Sequence, residues 1–286
     1  MRGADIYRAR KARRKKMHKN LWFVLVIMAL CAFLWNYRGR ACEISDRPLS
    51  EGDVVCLQRV TIPDETPEIM VDYTGFTVSF NPAHHLPNYV VWELTGKEAN
   101  GEVPRNSKFR TDSDILGCAT TEDYRNSGFD RGHMAPAADM KWSEEAMSDC
   151  HYLTNICPQD HNINGGRWSS LEKLSRKWAE RDSAVIIICG PVLSDELVMT
   201  IGDSQVSVPE RFFKVIMAPY VDPPQAIGFI IPNHRTDDGL EAMAMSVDRV
   251  EEITGFDFFS CLPDDVENKM EMSANFREWT KRKSKK

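Results

Sequence analysis

The chain has 286 residues, of which 42% are hydrophobic and 27% charged, a composition that suits one globular domain with a core or two small domains. The net charge of −6 hides an asymmetry. Residues 1–40 carry eleven Lys and Arg against one acid, whereas the other 246 residues carry 25 basic and 41 acidic side chains, a net charge of −16. This acidic body excludes a broad basic surface for nucleic acid, so any phosphate site would need a local cluster of arginines.

The N-terminal residues are typical of a membrane signal. Residues 1–20 form a basic segment, and the uninterrupted apolar run LWFVLVIMALCAFLW follows at 21–35. The run is at the short end for a transmembrane helix, which needs roughly 17–25 residues. Nine basic residues precede it and two follow closely, which places the N-terminus in the cytoplasm. We expect an uncleaved transmembrane signal anchor at 21–37, with the body on the extracytoplasmic side, in the periplasm of a bacterium. Secretion after cleavage, or attachment to the mitochondrial inner membrane facing the intermembrane space, are the alternatives.

Residues 38–68 are charged and contain three prolines, which is typical of a linker. We expect a folded domain at 69–263 and a C-terminal helix with a basic tail at 264–286. An exported body allows disulfides, and we expect a bridge between Cys42 and Cys56, which flank a short loop.

The folded region mixes predicted strands and helices. Apolar runs predict strands at 75–80, 88–94, 184–189, 211–218 and 226–232, with a further strand in FDFFSC at 256–261. Apolar residues at helical spacing predict helices at 142–153, 165–182 and 246–255, with Ser143 as the first N-cap and Gly255 as the last C-cap. Residues 97–127 are polar and loop-like. This order favours an α+β domain with a central, mostly antiparallel sheet flanked by helices.

The stretch FDRGHM at 129–134 is the first that could carry chemistry. A histidine with a pKa near neutrality is a natural general base, although most single histidines are structural or lie on the surface. Only His133 stands between an arginine and a run of small residues. Gly132 would let the backbone pass close to a ligand, and Arg131 offers a planar fork for a phosphate.

The second stretch is HNINGGRWSSLEKLSRKW, in which Asn164 precedes the predicted helix at 165–182. Glu172 and Arg176 are four residues apart and share a helix face. Such a pair alone is more often a surface ion pair of small energetic value. Eight residues of α-helix rise about 12 Å, so Glu172 would not reach an ion bound by Asn164 directly. Because Mg²⁺ keeps several waters, the sequence predicts Asn164 as a direct ligand and Glu172 as a ligand through water, with Mn²⁺ as an alternative ion.

These stretches, FDRGHMAPAADMKWS and YLTNICPQDHNINGGRWSSLEKLSR, closely resemble the DNA/RNA non-specific endonuclease family, which includes secreted bacterial nucleases and endonuclease G. The resemblance covers roughly residues 70–262, and DRGH with the spaced Asn, Glu and Arg is far more specific than DRGH alone. It implies a ββα-metal nuclease fold. It also implies Mg²⁺-dependent hydrolysis of phosphodiester bonds in DNA and RNA, with products that carry 5′ phosphates.

The resemblance further implies a role for each matching residue. His133 would be the general base, Asn164 the sole direct protein ligand of one Mg²⁺, and Glu172 the residue that orients metal-bound waters. Three arginines, Arg131, Arg176 and Arg110, would stabilise charge on the scissile phosphate. Asn155 would act indirectly, by supporting the residues that form the site. Asp130 would be structural. A homodimer is a further expectation, since dimers occur in the family.

Two other hypotheses stay open. Zinc could be bound by Cys150, His151, Cys157 and His161, although their spacing lacks a C-x₂-C pattern. The chain could also be a catalytically inactive, membrane-anchored module that binds nucleic acid or protein on the same fold. Every expected catalytic residue type is present, which favours the enzyme.

Overall fold

The computed structural model describes residues 51–105, 108–194, 199–272 and 274–282. The predicted basic segment, the transmembrane anchor at 21–37 and Cys42 lie outside these ranges. Over the described ranges, no helix has both the length and the apolar character needed to cross a bilayer. All the described residues belong to one unit, Asp46–Lys286.

The strands and helices alternate along the chain, as the sequence predicts. The strands are β1 (Val60–Thr61), β2 (Ile69–Tyr73), β3 (Phe76–Asn81), β4 (Leu86–Thr95), β5 (Asp130–His133), β6 (Ile156–Gln159), β7 (Ala184–Pro191), β8 (Thr200–Ile201), β9 (Val206–Ser207), β10 (Arg211–Ala218), β11 (Gln225–Pro232), β12 (Ala244–Met245) and β13 (Asp257–Phe258). The helices are α1 (Glu51–Leu57), α2 (Glu144–Asp149), α3 (Ser169–Asp182), α4 (Leu240–Met243), α5 (Val247–Thr254), α6 (Asp264–Glu271) and α7 (Phe276–Lys281). Short 3₁₀ turns lie at Glu98–Asn100 and Leu153–Asn155, and a π-helical turn at Ile163–Trp168 leads into α3.

The centre of the fold is a seven-stranded sheet in the order β12-β11-β10-β7-β4-β3-β2. Every neighbouring pair in it is antiparallel. The prediction of a mostly antiparallel central sheet is therefore confirmed. Its middle strands are buried on both faces because helices and loops cover each side, which explains why they read as continuous apolar runs.

Adjacent residues of β10 show what covers each face of the sheet. Phe212 points to one face, where its ring lies 5.5 Å from the ring of Trp168. Phe213 points to the other face, where its ring lies 5.8 Å from those of Phe256 and Phe258. The first face carries the π-helical turn and α3, and the second carries α5, α6 and β13.

Both predicted helix caps are present. The Ser143 side chain accepts a hydrogen bond from the Ala146 amide at the start of α2, and Gly255 ends α5 with a φ of 72°, in the left-handed region. Helix α2 ends at Asp149, four residues earlier than predicted, because the chain turns there towards the 3₁₀ turn at Leu153–Asn155.

The second half of the expected linker is part of the fold. Helix α1 lies within it, and β1 pairs with β13 near the C-terminus of the domain. Cys56 forms a disulfide with Cys261, their Cα atoms 6.1 Å apart, so the expected bridge between Cys42 and Cys56 is wrong. The physical reason is that α1 packs against a segment 205 residues away, not against its own flank.

Candidate active site

Most of the predicted site residues lie on strand β5 or on the helical segment that follows its partner β6. DRGH forms β5, which pairs with β6 so that Gly132 faces Cys157 and His133 faces Ile156. Gly132 is required at this point, since a Cβ there would lie 2.1 Å from Oε1 of Gln159. The chain leaves β6 and enters the π-helical turn, whose regular course is broken at Gly166. The result is a strand–strand–helix arrangement.

Two hydrogen bonds lock the histidine strand to the turn that carries Asn164. The side-chain nitrogen of Asn164, Nδ2, donates to Oδ2 of Asp130 over 2.9 Å. The indole nitrogen of Trp168 donates to the backbone carbonyl of His133 over 3.0 Å. Residues 130 and 133 of one strand are thus tied to residues 164 and 168 of one turn. The structure therefore brings the predicted base and the predicted metal ligand to the same place.

His133 is buried, with 8% of its surface exposed. Its ring packs 5.1 Å from the ring of Phe109 and 5.0 Å from that of His151. Burial lowers the pKa of His133 well below its ordinary value, and the charges of His151 and Arg105 lower it further. His133 is consequently neutral at physiological pH, which is the form a general base requires.

The side chain of Asn164 is oriented so that it can bind a cation. A carboxylate can only accept hydrogen bonds, so the contact with Asp130 fixes the amide nitrogen of Asn164 on that side. Its carbonyl oxygen faces away and has no hydrogen-bond partner among the described residues. A hard ion such as Mg²⁺ takes this kind of oxygen ligand.

Unpartnered polar atoms also concentrate around this site. Within the described ranges, seven buried side-chain nitrogen or oxygen atoms have no hydrogen-bond partner. Five of the seven belong to four residues of the site, Arg131, His133, His151 and Gln159. Because native proteins leave few such atoms unsatisfied, this concentration is the behaviour expected of a site built for a ligand.

Glu172 lies among buried charges of both signs. Burial, with a smaller contribution from Asp139, raises the pKa of Glu172 to about 7, although Lys214 and Arg176 act in the opposite direction. Arg176 donates to Oδ1 of Asp139 over 2.6 Å. At neutral pH the carboxyl of Glu172 is therefore half protonated, and a cation beside it would restore its charge. This chemistry fits a residue that holds the water shell of a metal ion.

Lys214 and Asp139 complete this network, and no sequence pattern indicates a role for either. Lys214 on β10 is 1% exposed, and its ammonium lies 4.2 Å from the ring centroid of Trp168. Asp139 is also buried and accepts a hydrogen bond from the indole of Trp92. A lysine within an apolar strand is normally expected at the surface, so the sequence does not indicate that Lys214 is buried.

Arg131 lies at the mouth of the site. Its guanidinium donates to the carbonyl of Thr121 over 3.1 Å and lies 5.4 Å from the ring centroid of Phe109, which also packs on His133. Its Nε is buried and unpartnered in the described part of the chain. The remaining donors leave Arg131 able to bind an anion beside the histidine.

The guanidinium of Arg110 is engaged by residues of α2 and the turn that follows it. It donates to the backbone and hydroxyl oxygens of Ser148, lies 3.5 Å from Asp149 and stacks on the ring of Tyr152. The exposed Arg105 is the arginine whose charge acts on both His133 and Glu172. Arg105 lies in a polar loop without periodicity, so the sequence did not distinguish it from its neighbours.

Asn155 is fully engaged in positioning the backbone. Its amide nitrogen donates to the carbonyls of Ala135 and Cys150, and its oxygen accepts from the Ala135 amide. Its own carbonyl accepts from the amide of Met134. Asn155 thus fixes the chain just after His133, and it is fully buried, away from any substrate in solution.

The zinc ligand set considered from the sequence is not assembled. His161 is exposed and its Nδ1 bonds to Asp130, whereas Cys157 is buried on β6. Cys150 and His151 lie next to His133, with one ligand atom of each within 4.8 Å of the others. Burial raises the pKa of Cys150 to about 12, so its thiol is neutral when no metal is bound.

The sequence profile of the DNA/RNA non-specific endonuclease family matches residues 58–265. The chain belongs to this family. The family is metal-dependent, and membership supports nuclease activity. Among the solved structures, the chain is similar to the crystal structure of the EndoG/EndoGI complex, which concerns the mechanism of EndoG inhibition. The TM-score is 0.64 and the identity 27%, over 68% of this chain and 86% of that chain.

The chain has curated relatives that are named as nucleases, several of them mitochondrial. It is 35% identical to the mitochondrial nuclease EXOG of Danio rerio, over 66% of this chain and 60% of that protein. It is 31% identical to the mitochondrial endonuclease G of Homo sapiens, over 64% of this chain and 67% of that protein. It is 33% identical to nuclease C1 of Cunninghamella echinulata var. echinulata, over 66% and 81% respectively. The chain spans less than two thirds of the EXOG relatives, between 56% and 60% of their length.

Proposed function

We propose that the protein is a Mg²⁺-dependent endonuclease that hydrolyses phosphodiester bonds in both DNA and RNA and leaves 5′ phosphates. The observation that carries the proposal is the pair of hydrogen bonds that ties the His133 strand to the Asn164 turn. In-line hydrolysis needs a base on one side of phosphorus and charge neutralisation on the other. A neutral, buried histidine and an oriented amide oxygen supply these two requirements.

His133 takes the proton of the attacking water. Its pKa is lowered, so the ring is free to accept a proton at neutral pH. Asn164 would hold the ion directly through its carbonyl oxygen, with Asp130 fixing the rotation of the amide. Glu172 would bind the ion through water. When bound, Mg²⁺ acts as a Lewis acid that stabilises the leaving 3′ oxygen, and Mn²⁺ is the alternative ion.

The phosphate charge is neutralised by arginines. Arg131 lies beside the histidine at the mouth of the site, and Arg176 is held near Glu172 by its contact with Asp139. Arg110 remains the third arginine of the proposal, and Arg105 joins it because its charge acts on both His133 and Glu172. Asn155 supports the backbone after the histidine rather than touching the substrate.

The site is placed outside the cytoplasm in this proposal. The Cys56–Cys261 disulfide supports an oxidising compartment, since such bonds persist there. An N-terminal signal anchor at 21–37 would hold the endonuclease domain at a membrane, in the periplasm of a bacterium or in the mitochondrial intermembrane space. The mitochondrial location named for EXOG and endonuclease G favours the second setting for this chain. A homodimer is the proposed assembly, to be checked by light scattering.

Cleavage of supercoiled plasmid and of single-stranded RNA, with Mg²⁺ and with EDTA, tests the proposal. The wild type is expected to cut both substrates only when the ion is present. His133→Ala should lose about 10²- to 10⁴-fold in rate, the usual contribution of a general base. The matched control is His234→Ala, which removes an exposed histidine. A folded His133→Ala protein that keeps more than about a hundredth of the rate would exclude His133 as the base.

A further inference from the structure

Three carboxylates from two helices converge on the second face of the sheet. Asp248 and Glu251 lie on α5, and Glu271 is the last residue of α6. One oxygen atom from each of the three side chains lies within 4.8 Å of the others. The three are exposed, partly buried and buried respectively, so the group opens towards solvent on one side.

Glu271 is the unusual member of this group. It is 4% exposed, and its Oε1 atom is buried with no hydrogen-bond partner among the described residues. One oxygen of Glu251 accepts a hydrogen bond from the amide of Phe258 over 2.8 Å. Glu271 thus combines a buried, unpartnered oxygen with a place beside two other carboxylates, which is costly unless something is bound there.

No basic side chain of the described residues forms a salt bridge with Asp248, Glu251 or Glu271. The nearby cations face elsewhere. Arg249 on α5 pairs with Glu252, and Lys269 on α6 lies 3.9 Å from Asp265. The acidic group therefore has no cation supplied by these two helices.

The surroundings of the group add further negative charge. Burial is the main cause that raises the pKa of Glu271 to about 9, and the charges of Glu251, Glu267, Asp248 and Asp257 add to it. The pKa of Glu267 is raised to about 7 in the same way. Crowded carboxylates of this kind take up either a proton or a metal ion.

We infer that Asp248, Glu251 and Glu271 form a binding site for Ca²⁺ that joins α5 to α6. The donors are all oxygen atoms, which select hard cations over zinc or copper. Oxygen atoms within 4.8 Å of one another can share one Ca²⁺, which binds oxygen at about 2.3–2.6 Å. Ca²⁺ also accepts irregular geometry from several carboxylates, whereas Mg²⁺ demands a near-ideal octahedron and is usually bound by only one or two carboxylates. The open side leaves room for waters, which complete the coordination.

This site is separate from the candidate active site, because the central sheet lies between them. On β10, Phe212 points to the face of the Asn164 turn and Phe213 to the face of α5. Helix α5 lies directly on β11, where a Cβ at Gly228 would come within 2.4 Å of Val250. A bound Ca²⁺ would fix α5, α6 and, through Glu251 and Phe258, β13 as one layer.

The same layer carries the disulfide, which links it to α1. Disulfides indicate an oxidising compartment, and Ca²⁺ sites of extracellular modules have dissociation constants of about 10⁻⁴–10⁻³ M. The Ca²⁺ site and the disulfide therefore serve the same end, which is to hold the C-terminal segments of the domain against the sheet. We expect an affinity in that range, because only three protein carboxylates contribute.

Equilibrium dialysis with ⁴⁵Ca²⁺ tests the inference on the full chain, in an Asn164→Ala background that removes the expected active-site ligand. The Asn164→Ala protein, in which Asp248, Glu251 and Glu271 are unchanged, should bind one Ca²⁺. The melting temperature should rise by about 5–10 °C at 100 times the dissociation constant. Hydrogen exchange should slow in α5 and α6. Glu271→Gln should weaken Ca²⁺ binding at least tenfold, and Mg²⁺ should bind at least tenfold more weakly than Ca²⁺.

Glu252→Gln is the matched control, because it makes the same charge change on the exposed side of α5. It should leave Ca²⁺ binding unchanged. If Glu271→Gln does not fold, Asp248→Asn replaces it, since that residue is exposed and its loss should also weaken binding. The inference would be overturned if the Asn164→Ala protein bound no Ca²⁺. It would also be overturned if Asp248→Asn and Glu252→Gln bound Ca²⁺ equally well. Tighter binding of Mg²⁺ would overturn the choice of ion.

Discussion

Asp130 is expected to control the affinity of the active site for its metal ion without taking part in the chemistry. Its Oδ2 atom accepts one hydrogen bond from the amide of Asn164 and one from Nδ1 of His161, each over 2.9 Å. The first bond holds the carbonyl oxygen of Asn164 towards the position of the ion. Asp130→Ala would leave Asn164 free to rotate, so that the ion must bind an unoriented ligand.

The size of the effect follows from this geometry. A hydrogen bond to an ionised group contributes about 1.5–3 kcal/mol. The side chain of Asp130 is 34% exposed, so solvent screens the bond and the lower limit applies. About 1.5 kcal/mol corresponds to a little more than tenfold in affinity. Residues that orient metal ligands usually contribute about 10- to 100-fold. We therefore expect Asp130→Ala to raise the Mg²⁺ concentration for half-maximal cleavage about tenfold to thirtyfold.

The assay is plasmid cleavage at a series of Mg²⁺ concentrations. At saturating Mg²⁺, Asp130→Ala should recover a rate within a few fold of wild type, because the ion itself then orders Asn164. His161→Ala is the control. It removes the other hydrogen-bond partner of Asp130, and the side chain of His161 is 85% exposed. It should change the Mg²⁺ requirement less than twofold. An unchanged Mg²⁺ curve for Asp130→Ala, or a rate loss that no Mg²⁺ concentration repairs, would refute the reasoning.

Three further predictions follow from other parts of the molecule. Glu172→Ala should raise the Mg²⁺ requirement for cleavage, and an identical Mg²⁺ titration would exclude its role in the water shell. Burial lowers the pKa of His133 and His151 in the folded protein. As the pH falls, the unfolded chain therefore binds protons at these histidines before the folded chain does. The free energy of unfolding, measured with urea, should be constant above pH 6.5. Below pH 6.5 it should fall by up to about 1.4 kcal/mol per pH unit for each histidine. His151→Phe should reduce this slope. Cys56→Ser should lower the free energy of unfolding by about 2–5 kcal/mol, and a reducing agent should destabilise the wild type but not the variant.

The central strands could be predicted closely from the sequence because each is a run of apolar residues between turns. The expected strand at 211–218 coincides with β10, and that at 184–189 falls within β7. Strand β5 could not be predicted in this way. DRGH has no alternation and three polar side chains, and it is a strand only because β6 pairs with it. Its partner lies some 25 residues away, so no local pattern records the pairing.

The candidate site shows the same limit. The motif residues could be selected by type and spacing, but the expected straight α-helix beyond Asn164 is wrong. The chain there is a π-helical turn broken at Gly166, so a rise of about 1.5 Å per residue does not apply between Asn164 and Glu172. The FRTD context indicates Arg110, and no sequence feature points to Arg105. The path of a polar loop depends on tertiary contacts, and these place Arg105 where its charge reaches the histidine.

The acidic body and a polyanionic substrate are compatible if the charges needed for binding are few and local. Arg105 and Arg131 stand at the mouth of the site, while burial and the field of Arg105 keep His133 neutral. The same arginine thus favours the phosphate and disfavours protonation of the base. Such a site holds substrate through a small number of phosphates. The dependence of binding on salt should accordingly be shallow, since its slope follows the number of phosphates neutralised.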